Sequence, residues 1–248
     1  MNLFGFVSDA YEREARLIPA LFACLPLIIL CGLLAPSLRT DAAWLLAVLA
    51  GGGGFAMMRA IIRDRGKSVE PKLWEQWGGM PSLARLRHRD PVFAPAETVS
   101  FHAKAVAKIS GLTAPTPSDE AADPEAADVK YRQMSRWILS NTRSAKDHPL
   151  ILKHNIGYGF RRNIYGAKPV ILLLDAVLII AAIAWILFAA GVPRVTFDLH
   201  SLDWRHAAAL IVPALHMIFV SLVATKAWVK QAADAFSEQL IGAFHTIE

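Results

Sequence analysis

His154–Pro169 reads HNIGYGFRRNIYGAKP, and how this stretch is read decides the fold. It lies where a basic, water-compatible region meets a long apolar run. It gathers Arg161 and Arg162, Tyr158 and Tyr165, Phe160, and the glycines Gly157, Gly159 and Gly166. Pro169 then opens the apolar run, at a position the first turn of a helix tolerates. Rings, cations and glycines in such a place have two readings. They anchor a helix end at the headgroup level of a bilayer. Or they form a phosphate-binding loop beside a membrane helix.

Working outward, the 248 residues are 54% hydrophobic, with a mean hydropathy of +0.36. Soluble domains run at about 45–50% apolar by a similar count. The excess is concentrated in four blocks, roughly Leu17–Leu34, Ala43–Ile62, Val170–Ala190 and Ala207–Thr225. Apolar blocks of about 18 or more residues read as membrane spans. The fold class that follows is an all-α integral membrane protein. Two transmembrane hairpins (17–62 and 169–225) flank a mainly helical domain (63–168). An interfacial helix (1–16) precedes them and an amphipathic helix (226–248) follows. The link Ala35–Ala42 leaves room only for a hairpin turn, and the link Gly191–His206 is short and carries no net charge. Cys24 and Cys31 both lie in the first block, so neither a disulfide framework nor a zinc spacing exists.

The net charge of +5 has an address. Arg63–Lys168 carries 18 Lys/Arg against 11 Asp/Glu, while the rest of the chain sums to −2. The two hairpin links hold three cations, Arg39, Arg194 and Arg205, whereas the lead-in, central region and tail hold 22. Cations collect on the cytoplasmic side. The expected topology therefore has both termini and the central domain in the cytoplasm, with the protein in a bacterial inner membrane among its lipids.

In the central region, Gly78-Gly79 predicts a turn. Glu97–Ser110 predicts a helix stopped by Gly111, and Leu112–Ala127 reads in its first part as a mobile loop. Asp123-Pro124 starts a helix that runs to about Asn141 and places Val129, Arg136 and Trp137 near one face. In the tail, Trp228, Ala232, Phe236, Leu240 and Phe244 recur at four-residue steps. Without a breaker, the last span and the tail read as one helix of about 42 residues, about 63 Å long. Its apolar stripe lies on the cytoplasmic domain, forms an oligomer seam or binds the membrane surface.

Several motifs bear on chemistry. His88-Arg89-Asp90 spells HRD, but no glycine-rich phosphate loop precedes it and no DFG follows, so kinase chemistry is not expected. The histidines show no metal-ligand spacing, and no nucleophile elbow or P-loop exists. No catalytic residue, metal or cofactor is therefore assigned, and an enzyme is not expected. Arg85, Arg87 and Arg89 alternate in a way that suits anion recognition. With Arg161, Arg162, Tyr158 and Tyr165 they make the candidate phosphate surface. Only seven residues separate Arg162 from Val170, so a loop loosened by its glycines would couple a bound ligand to the third span.

Within the spans, Asp175, Arg59 and His216 are the polar features. Ionisable groups at such depth face a bundle interior or a water-filled cavity. Asp175 and Arg59 pair to lock the hairpins, or Asp175 and His216 line a pore. Gly51–Gly54 gives the second span either close packing or a hinge.

WEQWGGMP (Trp74–Pro81), LRHRD (Leu86–Asp90) and GYGFRRNIYGAKP (Gly157–Pro169), set between apolar hairpins, resemble pieces of small bacterial four-span membrane proteins. Some of those serve as effectors beside a nucleotidyltransferase in anti-phage defence, including Hailong-type systems. The resemblance implies a homo-oligomeric channel, shut or opened by a nucleotide or oligonucleotide bound in the cytoplasm, with a nucleotidyltransferase as partner. The alternative is a membrane-anchored scaffold whose basic face holds anionic lipid or a protein.

Overall fold

The structure, a computed structural model, describes residues 10–34, 41–189 and 203–247, with side chains for 10–32, 52–188 and 203–247. The expectations for 1–9, for the links through 35–40 and 191–202, and for Arg39 and Arg194 fall outside these residues. The described residues are helical, with no strand among them. After a turn at Ala10–Glu12 and a π-helical turn at Arg13–Leu17 come α1 (Ile18–Leu34), α2 (Asp41–Gln76), α3 (Pro81–Ala84) and α4 (Pro95–Lys108). Then follow α5 (Pro117–Ala122), α6 (Pro124–Asn141), α7 (Pro149–Ala189), α8 (Trp204–Val223), α9 (Lys226–Gly242) and a 3-10 turn at Ala243–His245.

Among the described residues, three helical stretches are long and apolar enough to cross a membrane: Ala10–Gly32, Pro149–Phe188 and Trp204–Val223. The expected second span, Ala43–Ile62, forms the first part of α2, whose side chains are described only from Gly52 onward.

Contacts divide the chain into two units. The first takes residues up to Ser68 and from Phe160 to Thr225; the second takes Val69–Gly159 and the chain from Lys226. The tail thus belongs with the central region.

The deciding stretch is corrected by the structure. His154–Pro169 is not a loop but lies wholly inside α7, which opens at Pro149. Pro169 sits within that helix, where it removes one amide without ending it. Glycine disfavours a helix by about 1 kcal/mol relative to alanine. Here tertiary burial outweighs that: Tyr158, Ile164, Ala167 and Ile171 along the same helix are all buried.

Asn163, fully buried in the first unit, shows how this stretch is held. Pro19 has no N–H, so the carbonyl four residues earlier, that of Ala15, loses its helical donor. The Asn163 side-chain amide donates to that oxygen at 2.6 Å. The π-helical turn at Arg13–Leu17 lies just before the same proline, where such turns relieve a broken ladder. Close backbone approach adds to this. A Cβ at Gly166 would lie 2.5 Å from the Arg65 carbonyl oxygen, and one at Gly66 would collide with Asn163. A Cβ added at Gly52, Gly53 or Gly54 would meet nothing within 4 Å, so they are not close-packing positions among the described residues.

The expected 42-residue rod is also corrected: α8 ends at Val223 and α9 begins at Lys226. The Lys168 ammonium donates to the Ser221 and Ala224 carbonyls at 2.9 and 3.1 Å, satisfying the helix end where cations are favoured.

The second unit is built around Leu86, Phe101, Tyr131, Met134, Ile138, Leu240, Ile241 and Phe244. The apolar stripe of the tail is spent in this core. Helix α6 runs from Pro124 to Asn141 as expected, with the Asp123 carboxylate accepting from the Ala126 amide. Its inward face is Ala127, Tyr131, Met134 and Ile138, and Val129 is 60% exposed. The expected mobile loop contains α5, capped reciprocally by Thr116 and Asp119. Gly78 and Gly79 make the expected turn at φ 77° and 130°.

Candidate functional site

Helix α3 and the turns after it place Arg85, Arg87 and Arg89 along the wall of one open pocket of 320 Å³ in the second unit. Trp77, Asp90, Lys230 and Asp234 also line it. The structure thus brings together the three alternating arginines. It also gives each a carboxylate. The Arg85 guanidinium bonds Asp90 at 2.8 Å and reaches Asp234 at 3.0 Å and Glu238 at 3.5 Å. Its Nε is buried and has no partner among the described residues. Arg87 grips Asp128 through two nitrogens at 2.8 and 2.6 Å and donates its third to the Gly78 carbonyl at 2.7 Å. Arg89 bonds Glu120 at 2.8 Å, but lies 3.8 Å from Asp128 and keeps 46% of its side chain exposed. Lys230, equally open, pairs with Asp234.

These bonds rank the cations as ligand groups. Arg87 has all three nitrogens bonded within the fold and Arg85 has two, and both side chains are nearly buried. Arg89 and Lys230 retain exposed donors, so an anion entering the pocket meets these two first.

Behind Arg89 lies a network that sequence reading missed. The Glu120 carboxylate is 3% exposed. It accepts from the His88 amide at 2.8 Å, the Arg89 amide at 3.4 Å, the Arg89 guanidinium at 2.8 Å and the Tyr131 hydroxyl at 2.7 Å. Burial pushes its pKa up, but the Tyr131, His88 and Arg89 bonds outweigh burial and hold it below the ordinary glutamate value. Burial and the bond to Glu120 push the Tyr131 hydroxyl up in turn. His102 stacks on Tyr131 and donates to the Leu86 carbonyl at 2.7 Å; burial, ahead of that bond, keeps its pKa low. The HRD motif is therefore a structural corner, its backbone fastened to Glu120. The available signal was local: Thr116-x-x-Asp119 is a capping box, and it places Glu120 on a helix.

The remaining candidates fall elsewhere. The Tyr158 hydroxyl donates to Glu70 at 2.8 Å, and its ring stacks on Phe236 within the second unit, which removes it from the headgroup-anchor role. Arg161, Arg162 and Tyr165 lie on α7 in the first unit, with Arg162 buried. As helix residues they are not the two-shaped loop expected of them.

In the first unit Asp175 pairs with His216 and not with Arg59. The His216 Nδ1 lies 3.0 and 2.9 Å from the two Asp175 oxygens. A carboxylate only accepts, so Nδ1–H is the donor. Asp175 is fully buried and His216 is 7% exposed, so the pair is not lining open water here. Arg59 is half-buried on α2. Among the described residues no cluster of His, Cys, Asp and Glu is arranged to hold a metal. Compared with known proteins, the chain matches no protein-family model, no curated protein and no solved structure.

Proposed function

We propose that the protein is an oligomeric, four-span membrane effector or ion channel of the bacterial inner membrane. Its second unit lies in the cytoplasm and binds an anionic ligand, a nucleotide or oligonucleotide. The orientation rests on the cation count, 22 against three. The observation that carries the binding reading is the pocket that gathers Arg85, Arg87, Arg89, Lys230 and Trp77. A phosphate takes Arg89 and Lys230, displacing Glu120 and Asp234 from them, while the Trp77 ring offers a face to a base. Exchanging a carboxylate for a phosphate on Arg89 loosens α5 and the HRD corner, which supplies the differential affinity that gating needs. The resemblance to effectors of nucleotidyltransferase-linked anti-phage defence agrees with this reading.

One observation favours the alternative, a membrane-anchored scaffold without transport: every arginine in the pocket already has a carboxylate partner. A titration of purified full-length protein with fluorescent mononucleotides and short oligonucleotides, at two salt concentrations, separates the two. Binding that weakens with salt, and a loss of about tenfold or more in Arg89→Glu/Lys230→Glu, is the expected result. Equal binding by wild type and variant, or none by either, transfers the pocket to the scaffold reading.

A further inference from the structure

The buried face of α8 consists of His206, Ala209, Pro213, His216 and Val220. Both its histidines are over nine-tenths buried, at 8% and 7% exposure. Each has an aspartate at Nδ1: Asp203 at 3.0 Å from His206, and Asp175 at 2.9 Å from His216. Each has an aromatic ring against its face, Trp185 at 4.1 Å and Phe22 at 4.7 Å between centroids. On each, Nε2 is buried and has no hydrogen-bond partner among the described residues. Two imidazoles on one apolar helix face, both held by one nitrogen and both presenting the other unused, are a costly arrangement for a merely structural helix.

We infer that α8 carries a proton path across the membrane, with the Asp203–His206 and Asp175–His216 dyads as its two loading sites. The proposal rests on the conducting reading above and names the ion. At each site a proton adds to the Nε2 lone pair, forming an N–H bond and an imidazolium that the aspartate at Nδ1 stabilises. The N–H bond breaks when the proton passes on, restoring the neutral ring. His206 suits the outer position, because the same Nδ1 also lies 3.1 Å from the Asp203 amide. It accepts from that amide in one tautomer and donates to the carboxylate in the other.

The two histidines are ten residues apart, about 15 Å at 1.5 Å per residue, too far for a direct transfer. Between them on the same face, Pro213 removes the amide that would have bonded the Ala209 carbonyl and leaves an acceptor for water. In the present state Ala209 packs with Leu30 and Ala182, a small apolar cluster that closes the path. Because two of its three members are alanines, a slight separation of the helices admits a file of water. Among the described residues, the titratable groups bonded to the imidazoles are the two aspartates; α1 contributes Phe22 and α7 contributes Trp185.

The test uses full-length protein in liposomes with an internal pH dye, with proton and potassium flux read separately, with and without nucleotide. Wild type should pass protons faster than empty liposomes. His216→Gln and Asp203→Asn should each lower that rate about tenfold or more, and Ala209→Leu, which thickens the barrier, should do the same. Asp203 is half-exposed at the helix start, so its variant tests the path even where a buried substitution disturbs assembly. Proton flux unchanged in all three variants overturns the proposal. Potassium flux without proton flux also overturns it while leaving the conducting reading intact. Flux of neither ion removes both, and the nucleotide titration then stands alone.

Discussion

Glu120 in the second unit and Asp175 in the first are both buried carboxylates, 3% and 0% exposed, and the fold treats them in opposite ways. Glu120 collects four donors: two consecutive backbone amides, an arginine guanidinium and a tyrosine hydroxyl. Among the described residues Asp175 has a single imidazole N–H shared between its oxygens, and that imidazole has its other nitrogen unbonded. A saturated network fixes one structure, because each partner lost leaves a buried group unpaired. An unsaturated pair retains capacity to take up something else. The difference separates a carboxylate that holds a corner together from one that, in the proposed proton path, serves transport.

The largest effect belongs to the saturated site. Glu120→Ala leaves the Tyr131 hydroxyl and the His88 amide without acceptors, and should destabilise the protein by about 3 kcal/mol. Arg89, half in water, contributes little of that. The same network predicts acid lability, with a definite sign. Glu120 titrates below its ordinary 4.5 in the folded protein, so its contribution is present above that pH and is lost as pH falls through the lowered value. Thermal unfolding followed by helical circular dichroism, as a function of pH, reads both. A loss under about 1 kcal/mol would erase the contrast between the two carboxylates.

A smaller effect tests how the first unit holds itself. Gly166→Ala drives a Cβ into the Arg65 backbone, which a main chain cannot yield cheaply, and should destabilise by about 1–3 kcal/mol. Gly53→Ala meets open space and should be neutral or gain up to about 1 kcal/mol from helix propensity. Melting midpoints in detergent compare the two. If Gly166→Ala melts with wild type, close approach of the backbones is not what orders this unit.

What was legible in the sequence was local. Asp123-Pro124 marked the start of α6, Gly78-Gly79 marked a turn, and the apolar blocks marked three of the long helices. His154–Pro169 misled because glycine, aromatic and proline signals all read as punctuation, while burial of Tyr158, Ile164 and Ala167 overrode them. The site residues were half-legible for a different reason. Arg85, Arg87 and Arg89 stood out as a run, but their partners lie far along the chain: Asp128 is 41 residues from Arg87, and Glu120 is 31 from Arg89. His216 and Asp175 are likewise 41 apart. No period in a sequence reports such pairings. They are fixed only when helices cross.

The smallest expected loss of stability is also the sharpest form of the comparison. Asp175→Asn keeps an oxygen facing the His216 Nδ1–H, so a neutral hydrogen bond replaces a charge-assisted one. That exchange should cost about 1 kcal/mol, well below the loss at Glu120. Its effect on an imidazolium is far larger, since the asparagine no longer offers a negative charge to a protonated His216. Proton flux through the variant should therefore fall steeply while its melting midpoint barely moves. A double-mutant cycle with His216→Gln adds the control: partners in one site lose less together than the sum of their separate losses. If Asp175→Asn instead unfolds the protein as readily as Glu120→Ala does, Asp175 is a structural carboxylate like Glu120. The unused nitrogen on His216 then has no bearing on transport.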